Sequence, residues 1–275
     1  MAATHALHAL HITDMHLHAD ADAELYGVRT DRSFRAVMDR AQRADNPEPD
    51  IVLVTGDLVE DRSEQGYRRF RSIMQAFDVP VLCLPGNHDD PGLMSRVLND
   101  GNVSFCASHG CDDWRFIMLD SHIPGDDGGE LGAAELQRLD EELASAAEAN
   151  ILVAVHHHPL TMGSAWLDGY GLRDAEPFLS LLSRYRNVRA VLWGHVHQAS
   201  DRHHDGLRML STPSTCAQFT PGTATCVMDI RPPGFRSLTL RGDGAIETAV
   251  TWLDDWIVAS RPPDSRQTGM GRGGQ

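Results

Sequence analysis

The sequence predicts an α/β fold, and three observations carry that reading. Short uninterrupted apolar runs recur at Ile51–Thr55, Val79–Leu84, Ile151–Val155 and Val188–Trp193, the pattern of parallel strands covered on both faces. Segments with helical periodicity separate them. After Gly194 the character changes: Leu207–Ser211, Thr225–Ile230, Phe235–Leu240 and Ile246–Trp252 read as β segments joined by Gly/Pro turns, with no helix between them. One α/β domain follows, whose second half adds antiparallel strands, with two sheets packed face to face.

In chain order, Leu7–Thr13 is a short strand ending at Asp14. Asp31–Ala44 is helical because Phe34, Val37, Met38 and Ala41 recur at i, i+3, i+4 and i+7; Thr30 or Asp31 supplies the cap. Asn46-Pro47-Glu48-Pro49 breaks this helix ahead of strand Ile51–Thr55. Glu64–Phe77 is a second helix, with Tyr67, Phe70, Met74 and Phe77 on one side, and Val79–Leu84 the next strand. Asp90-Pro91 reads as a cap followed by proline at the first helical position. Val103–Ala107 and Trp114–Asp120 predict a hairpin. The Pro124–Gly129 loop leads into a long helix, Ala133–Ala149, carrying Leu136, Leu139 and Leu143. Strand Ile151–Val155, helix Ala175–Tyr185 and strand Val188–Trp193 then repeat the rhythm. Residues 1–258 read as one domain and 259–275, rich in Pro, Gly and Arg from Arg261 onward, as a disordered tail.

The 275 residues are ample for a large buried core. No apolar run approaches the ~18–20 residues that cross a bilayer, and Met1–Leu10 lacks the pattern of a signal peptide, so a cytoplasmic protein is expected. The five cysteines form no CxxC pair; Cys106 and Cys111 flank His109, but small reduced thiols explain them better than a metal clip. A net charge of −15 argues against binding a nucleic-acid backbone or an anionic membrane. An anionic substrate would need local positive charge, which metal ions held by some of the 15 histidines can supply.

Five polar clusters share one address, the loop past the C-terminal end of a predicted strand: Asp14-Met15-His16, Gly56-Asp57, Gly86-Asn87-His88-Asp89, His156-His157-His158-Pro159 and Gly194-His195-Val196-His197. Ligands of open α/β sheets bind outside the carboxyl ends of strands, so these loops are expected to converge. Asp, His and Asn offer oxygen and nitrogen donors suited to manganese, iron or zinc. Strand alternation puts Asp14 and His16 on the same side, the Asp57 carboxylate can bridge two ions, and Asn87 is a neutral oxygen donor. The glycines before Asp57, Asn87 and His195 permit tight turns. Two divalent ions against two carboxylates and a hydroxide leave one positive charge, matching a phosphodiester. Within the triple histidine run, His156 is nearest the strand and the expected ligand, His157 the alternative, and His158 is expected to face outward. His5, His8, His11, His18, His109, His122, His203 and His204 have no matching partners and read as solvated or core residues. Neither a G-x-S-x-G elbow nor a P-loop is present.

The order D-x-H, G-D, G-N-H-D, H-H-H-P and G-H-x-H resembles the calcineurin-like metallophosphoesterase family over residues 7–252. Ser164-Ala165-Trp166-Leu167-Asp168 with Leu172-Arg173, and Ser211–Cys216 with Gln218-Phe219, look like the bacterial CpdA group of class III cyclic-nucleotide phosphodiesterases. The resemblance implies a four-layer αββα sandwich of two mixed sheets and a two-metal site, iron or manganese first and zinc as an alternative. It implies that Asp14, His16, Asp57 and His197 hold one metal and Asp57, Asn87, His156 and His195 the other. His16, Asp57, Asn87, His88 and His197 would line the substrate phosphate, with His88 as catalytic proton donor or charge stabiliser. The implied reaction is hydrolysis of 3′,5′-cyclic AMP to 5′-AMP by a metal-bound hydroxide. The implied partner is thus a small cyclic nucleotide, not nucleic acid or membrane, and no motif specifies an oligomer. Other phosphodiesters (a glycerophosphodiester, a 2′,3′-cyclic nucleotide or a nucleotide pyrophosphate) are the alternatives, and a non-catalytic scaffold a more distant one.

Overall fold

The computed structural model describes residues 6–43, 45–253 and 256, so the expected tail and His5 lie outside the described residues. The chain begins with β1 (Leu7–Ile12), a minute hairpin of β2 (Glu24–Leu25) and β3 (Val28–Arg29), and α1 (Thr30–Ala41). Then come β4 (Ile51–Thr55), α2 (Glu64–Met74), β5 (Val81–Leu84), α3 (Pro91–Leu98), β6 (Val103–Phe105), β7 (Ser108–Cys111) and β8 (Trp114–Met118). After α4 (Gly132–Ser145) follow β9 (Asn150–Val155), α5 (Ala175–Ser183) and β10 (Val188–Trp193). The chain closes with β11 (Ser200–His204), β12 (Leu207–Ser211), β13 (Gly234–Leu240) and β14 (Ile246–Trp252).

Two six-stranded sheets result, ordered β14-β13-β1-β4-β5-β6 and β11-β12-β10-β9-β8-β7. Each has four parallel strands (β1, β4, β5, β6 and β12, β10, β9, β8), with antiparallel strands added at one margin of the first sheet and at both margins of the second. Strand alternation explains the layers. In β4, Ile51 and Leu53 enter the core between the sheets with Leu152, Ala154 and Leu192, whereas Val52 and Val54 pack with Phe34, Tyr67 and Phe70 of α1 and α2. In β9, Ile151, Val153 and Val155 meet Leu139 and Phe178 of α4 and α5. The architecture is the four-layer αββα sandwich.

Several expectations need correction. The α1 cap is Arg29, which makes no side-chain capping bond, because β3 runs straight into the helix and leaves Thr30 inside it; Ala44 lies outside the described residues. Helix α2 stops at Met74, where Asn102 Nδ2 donates to the carbonyls of Met74 and Phe77 (3.4 and 2.7 Å). Val103–Ala107 and Trp114–Asp120 form no hairpin: β6 lies parallel to β5 in the first sheet, and β7 pairs with β8 in the second. Cys106, with φ of 45°, sits where the chain crosses between sheets; apolar pattern marks a strand but not its partner. Thr225–Ile230 is not a strand. Only an isolated Phe219–Met228 bridge forms there, and Ile230 is 86% exposed. The strand in its place is β11, whose Ser-Asp-Arg-His-His sequence has no apolar face because it is a sheet edge.

The buried His11 bonds Thr55 Oγ1 (2.8 Å) and Thr212 Oγ1 (2.6 Å), tying the first sheet to the chain that leaves the second. Burial, helped by the Arg236 charge, holds its pKa well below the usual histidine value. The unfolded chain therefore takes up a proton below pH ~6.5 that the native ring refuses. The stability contributed by this site is full above that pH and is lost as pH falls toward the native pKa. We expect urea midpoints to decrease between pH 7.5 and 5.5, and His11→Asn to flatten that slope. An unaltered slope in a folded variant contradicts the assignment.

Candidate metal centre and active site

All five clusters meet at one end of the seam between the two sheets. Backbone bonds zip the β1 and β4 loops together: Asp14 N donates to Gly56 O (3.0 Å) and His16 N to Asp57 O (2.9 Å). The second sheet joins through His195 N, which donates to the Asp14 carboxylate (3.1 and 3.0 Å), and through His156 Nδ1, which donates to Thr55 O (2.6 Å). Strand alternation does not aim Asp14 and His16. Both lie beyond β1 in left-handed backbone, with φ of 53° and 47°, as do Asp57 (54°), His195 (66°) and His197 (46°). Strained non-glycine backbone of this kind costs ~1–3 kcal/mol per residue and clusters at functional sites. The turn argument holds for Gly56, at φ of 94°. Gly86 and Gly194 serve close approach instead: a Cβ would stand 2.0 Å from Asp57 Oδ1 at the first and 2.0 Å from Thr13 Oγ1 at the second.

The donor set meets an electrostatic requirement. His16 Nδ1 is committed to Glu60 Oε2 (2.8 Å), His156 Nδ1 to Thr55 O and His197 Nδ1 to Ala217 O (2.7 Å). Each ring therefore turns its Nε2 lone pair inward. There His16 Nε2 stands 3.2 Å from His197 Nε2, and His197 Nε2 3.3 Å from Asp14 Oδ1. His156 Nε2 stands 3.3 Å from Asp57 Oδ2 and 3.2 Å from Asn87 Oδ1, which is 3.0 Å from His195 Nδ1. Acceptors facing acceptors around two buried carboxylates are stable only with positive charge at their centre, from protons or cations. The donor atoms of Asp14, His16 and His197, and those of Asp14, Asp57 and His156, lie within 4.8 Å of one another. The residues fit metal ions.

Known proteins place this arrangement. Residues 7–199 match the family model described as calcineurin-like phosphoesterase. The chain belongs to the calcineurin-like phosphoesterase family. It is 40% identical over 243 residues to the 3′,5′-cyclic adenosine monophosphate phosphodiesterase CpdA of Haemophilus influenzae, covering 88% of each chain. It is 39% identical over 251 residues to the protein of the same name from Escherichia coli, covering 90% of each. Among solved structures, a dimetal phosphatase from Danio rerio superposes with a TM-score of 0.63 at 16% identity, over 88% of this chain and 98% of that one. Membership of the family implies a dinuclear metal site, and the chain has buried His/Asp clusters that could hold metal ions.

Electrostatics set this family site apart from the surface. Burial disfavours charge on Asp14 and Asp57, yet their histidine neighbours outweigh it, His197 foremost at Asp14 and His156 at Asp57, and keep both pKa values low. Burial likewise opposes protonation of His88, but Asp57 and Glu60 raise it to about 10. Burial, reinforced by neighbouring histidines, holds His157 and His195 well below the usual value. His158 does not face outward as expected. It is 3% exposed and stacks on His195 at 5.6 Å, because Leu172 N donates to its carbonyl and folds the 160–172 segment over it. His157 Nδ1 pairs with Ser121 Oγ (2.8 Å). Among the described residues no cysteine joins a metal-ligand cluster, and all five are free.

Glu60 escapes sequence reasoning, and so do the roles of Asp89 and of the Ser211–Phe219 stretch, both singled out there only as parts of a motif. Glu60 lies three residues past Asp57 and accepts from His16. The Ser211–Phe219 stretch is buried despite its polarity: Ser214 Oγ donates to Asp14 O (2.6 Å), and Phe219 stacks on His197 at 4.3 Å. Asp89 accepts from the backbone N–H groups of Leu58, Val59 and Gly86 and from the Tyr67 hydroxyl (2.9–3.1 Å), clamping the Asp57 loop to the Asn87 loop. The only sequence signal for Glu60 was its proximity to Asp57, whereas Asp89 and Ser211–Phe219 were marked by their motifs without a role. Asp89→Ala leaves several buried donors unpaired, and we expect a loss of at least ~3 kcal/mol in urea unfolding. A change under ~1 kcal/mol contradicts the clamp.

Proposed function

We propose that this protein hydrolyses 3′,5′-cyclic AMP to 5′-AMP in the cytoplasm, where its unpaired cysteines stay reduced, using two bound iron or manganese ions, with zinc as an alternative. The observation that carries the substrate is the 40% identity to a cyclic AMP phosphodiesterase over 88% of both chains. In this reading Asp14, His16, Asp57 and His197 would hold one ion and Asp57, Asn87, His156 and His195 the other. His156 is preferred to His157 because its Nε2 faces Asp57 and Asn87, whereas His157 Nδ1 pairs with Ser121.

Bound metals supply Lewis-acid charge and a hydroxide at neutral pH. The chain's own residues do the rest. His88, 24% exposed and 3.0 Å from Glu60, stands at the open rim of the site and gives its proton to the departing 3′ oxygen. Its backbone N–H donates to Asp57 Oδ1 (3.0 Å) and fixes that carboxylate. Arg62 Nε and Nη2 donate to the carbonyls of His88 and Asn87 (both 3.0 Å) and hold that loop in place.

The test is a side-by-side kcat/KM comparison on cyclic AMP, cyclic GMP and 2′,3′-cyclic AMP. Cyclic AMP is expected to be turned over best, with the 2′,3′ isomer at least ~10-fold poorer. Faster hydrolysis of the 2′,3′ isomer or of a glycerophosphodiester overturns the substrate. A folded chain that takes up no metal overturns the enzyme.

A further inference from the structure

Glu60 occupies a position that neither its chemistry nor its sequence neighbourhood obliges it to take. Its backbone N–H donates to Leu17 O (2.8 Å), and Leu17 pairs with Val59, so the β1 and β4 loops carry it alongside the Asp14–His16 segment. From there one carboxylate oxygen, Oε2, reaches two rings: His16 Nδ1 at 2.8 Å and His88 Nδ1 at 3.0 Å. The two imidazoles stand 5.0 Å apart and nearly perpendicular, at 79°, an arrangement a shared acceptor imposes. A carboxylate that accepts at Nδ1 fixes tautomer and ring plane, leaving Nε2 for the site. For His16 that Nε2 points at His197 and Asp57.

We propose that Glu60 is a positioning residue that serves both halves of the chemistry at once. Its carboxylate sets the metal affinity of the centre built on Asp14, His16, Asp57 and His197. The same oxygen holds His88 in the orientation from which it protonates the leaving oxygen. Because one oxygen is the acceptor for both rings, loss of the Glu60 carboxylate would release His16 and His88 together. This rests on the metal and His88 assignments made above.

Two readouts test it. The first is Mn²⁺ binding to the metal-stripped full chain by calorimetry. Glu60→Ala is expected to weaken one of two sites by ~10–100-fold and leave the other within about threefold. The second compares cyclic AMP, whose departing alkoxide needs a proton, with bis(p-nitrophenyl) phosphate, whose departing phenolate does not. At saturating Mn²⁺ the variant is expected to lose ~10²-fold in kcat on cyclic AMP and less than ~10-fold on the nitrophenyl ester. If the alanine variant does not fold, the near-isosteric Glu60→Gln replaces it; loss of the charge is expected to move both readouts the same way by at least ~3-fold. A folded variant that binds two Mn²⁺ with unchanged affinity overturns the proposal, as does equal loss on the two esters. A third Mn²⁺ present in the wild type and lost in the variant makes Glu60 a ligand and also overturns it. Should the wild type fail to hydrolyse cyclic AMP, the binding arm still judges Glu60, so failure of the substrate reading and failure of this proposal remain distinct.

Discussion

Exhaustive chelation is expected to reduce hydrolysis to the uncatalysed rate, and Mn²⁺ to restore it. The physical reason is the inward ring of acceptors. His156 Nε2 stands 3.3 Å from Asp57 Oδ2 and His197 Nε2 3.3 Å from Asp14 Oδ1, with each ring's other nitrogen already committed to a carbonyl. Without cations the centre holds charge only by taking up protons, which occupy the lone pairs a phosphoester reaction needs. Removal also acts on stability, because ligands bound only to the native state raise it by RT ln(1 + [L]/Kd), ~2.7 kcal/mol at a hundredfold excess over Kd. Melting temperature should therefore rise with added Mn²⁺ in the stripped protein and show no such response where Asp14 and Asp57 are both replaced by Asn. The measurements are metal content by mass spectrometry, initial rate and thermal melt on the same sample. Undiminished turnover with metal verified absent sinks the metal reading.

Asn87→Ala and His195→Ala are each expected to leave a folded chain with kcat at least ~10²-fold lower, the scale of losing one preorganised electrostatic element. Asn87 Oδ1 lies 3.2 Å from His156 Nε2 and 3.0 Å from His195 Nδ1, so in the proposed second centre it would add a neutral oxygen donor where a carboxylate would be the third of the whole site. His195 also donates its backbone N–H to Asp14, a contact that the side-chain substitution spares. Both residues are largely buried yet sit in loops past the strands, so folding is expected to survive. Near-normal turnover with both metals at full occupancy would remove these two residues from the mechanism. A variant that loses activity only by losing metal is distinguished by raising Mn²⁺ until occupancy returns.

The parallel strands and the long helices were legible because their signals are local. Ile51–Thr55 and Val188–Trp193 are found within their expected bounds, and Asp90 caps α3 as read, accepting from Leu93 N at 2.9 Å. Errors cluster where partner choice mattered. The apolar pattern of Val103–Ala107 marks a strand, formed over Val103–Phe105, but not its neighbour, while the polar edge strand Ser200–His204 gives no such pattern and the apolar Thr225–Ile230 gives one without forming a strand. Periodicity reports burial of a face, and an edge strand buries almost none.

By itself the sequence determined the donor chemistry and its address: acids, imidazoles and an amide at the ends of apolar strands, a consequence of residue type and short-range pattern. Tertiary structure alone decided which atoms face one another. The His195–Asp14 bond spans 181 residues and the His156–Thr55 bond 101, and no local period encodes contacts of that length. The left-handed backbone of five candidate ligand positions, the burial of His158 and the shared oxygen of Glu60 arise only when two sheets close against each other. Packing the seam selects backbone and side-chain conformations that an isolated segment would reject on energetic grounds.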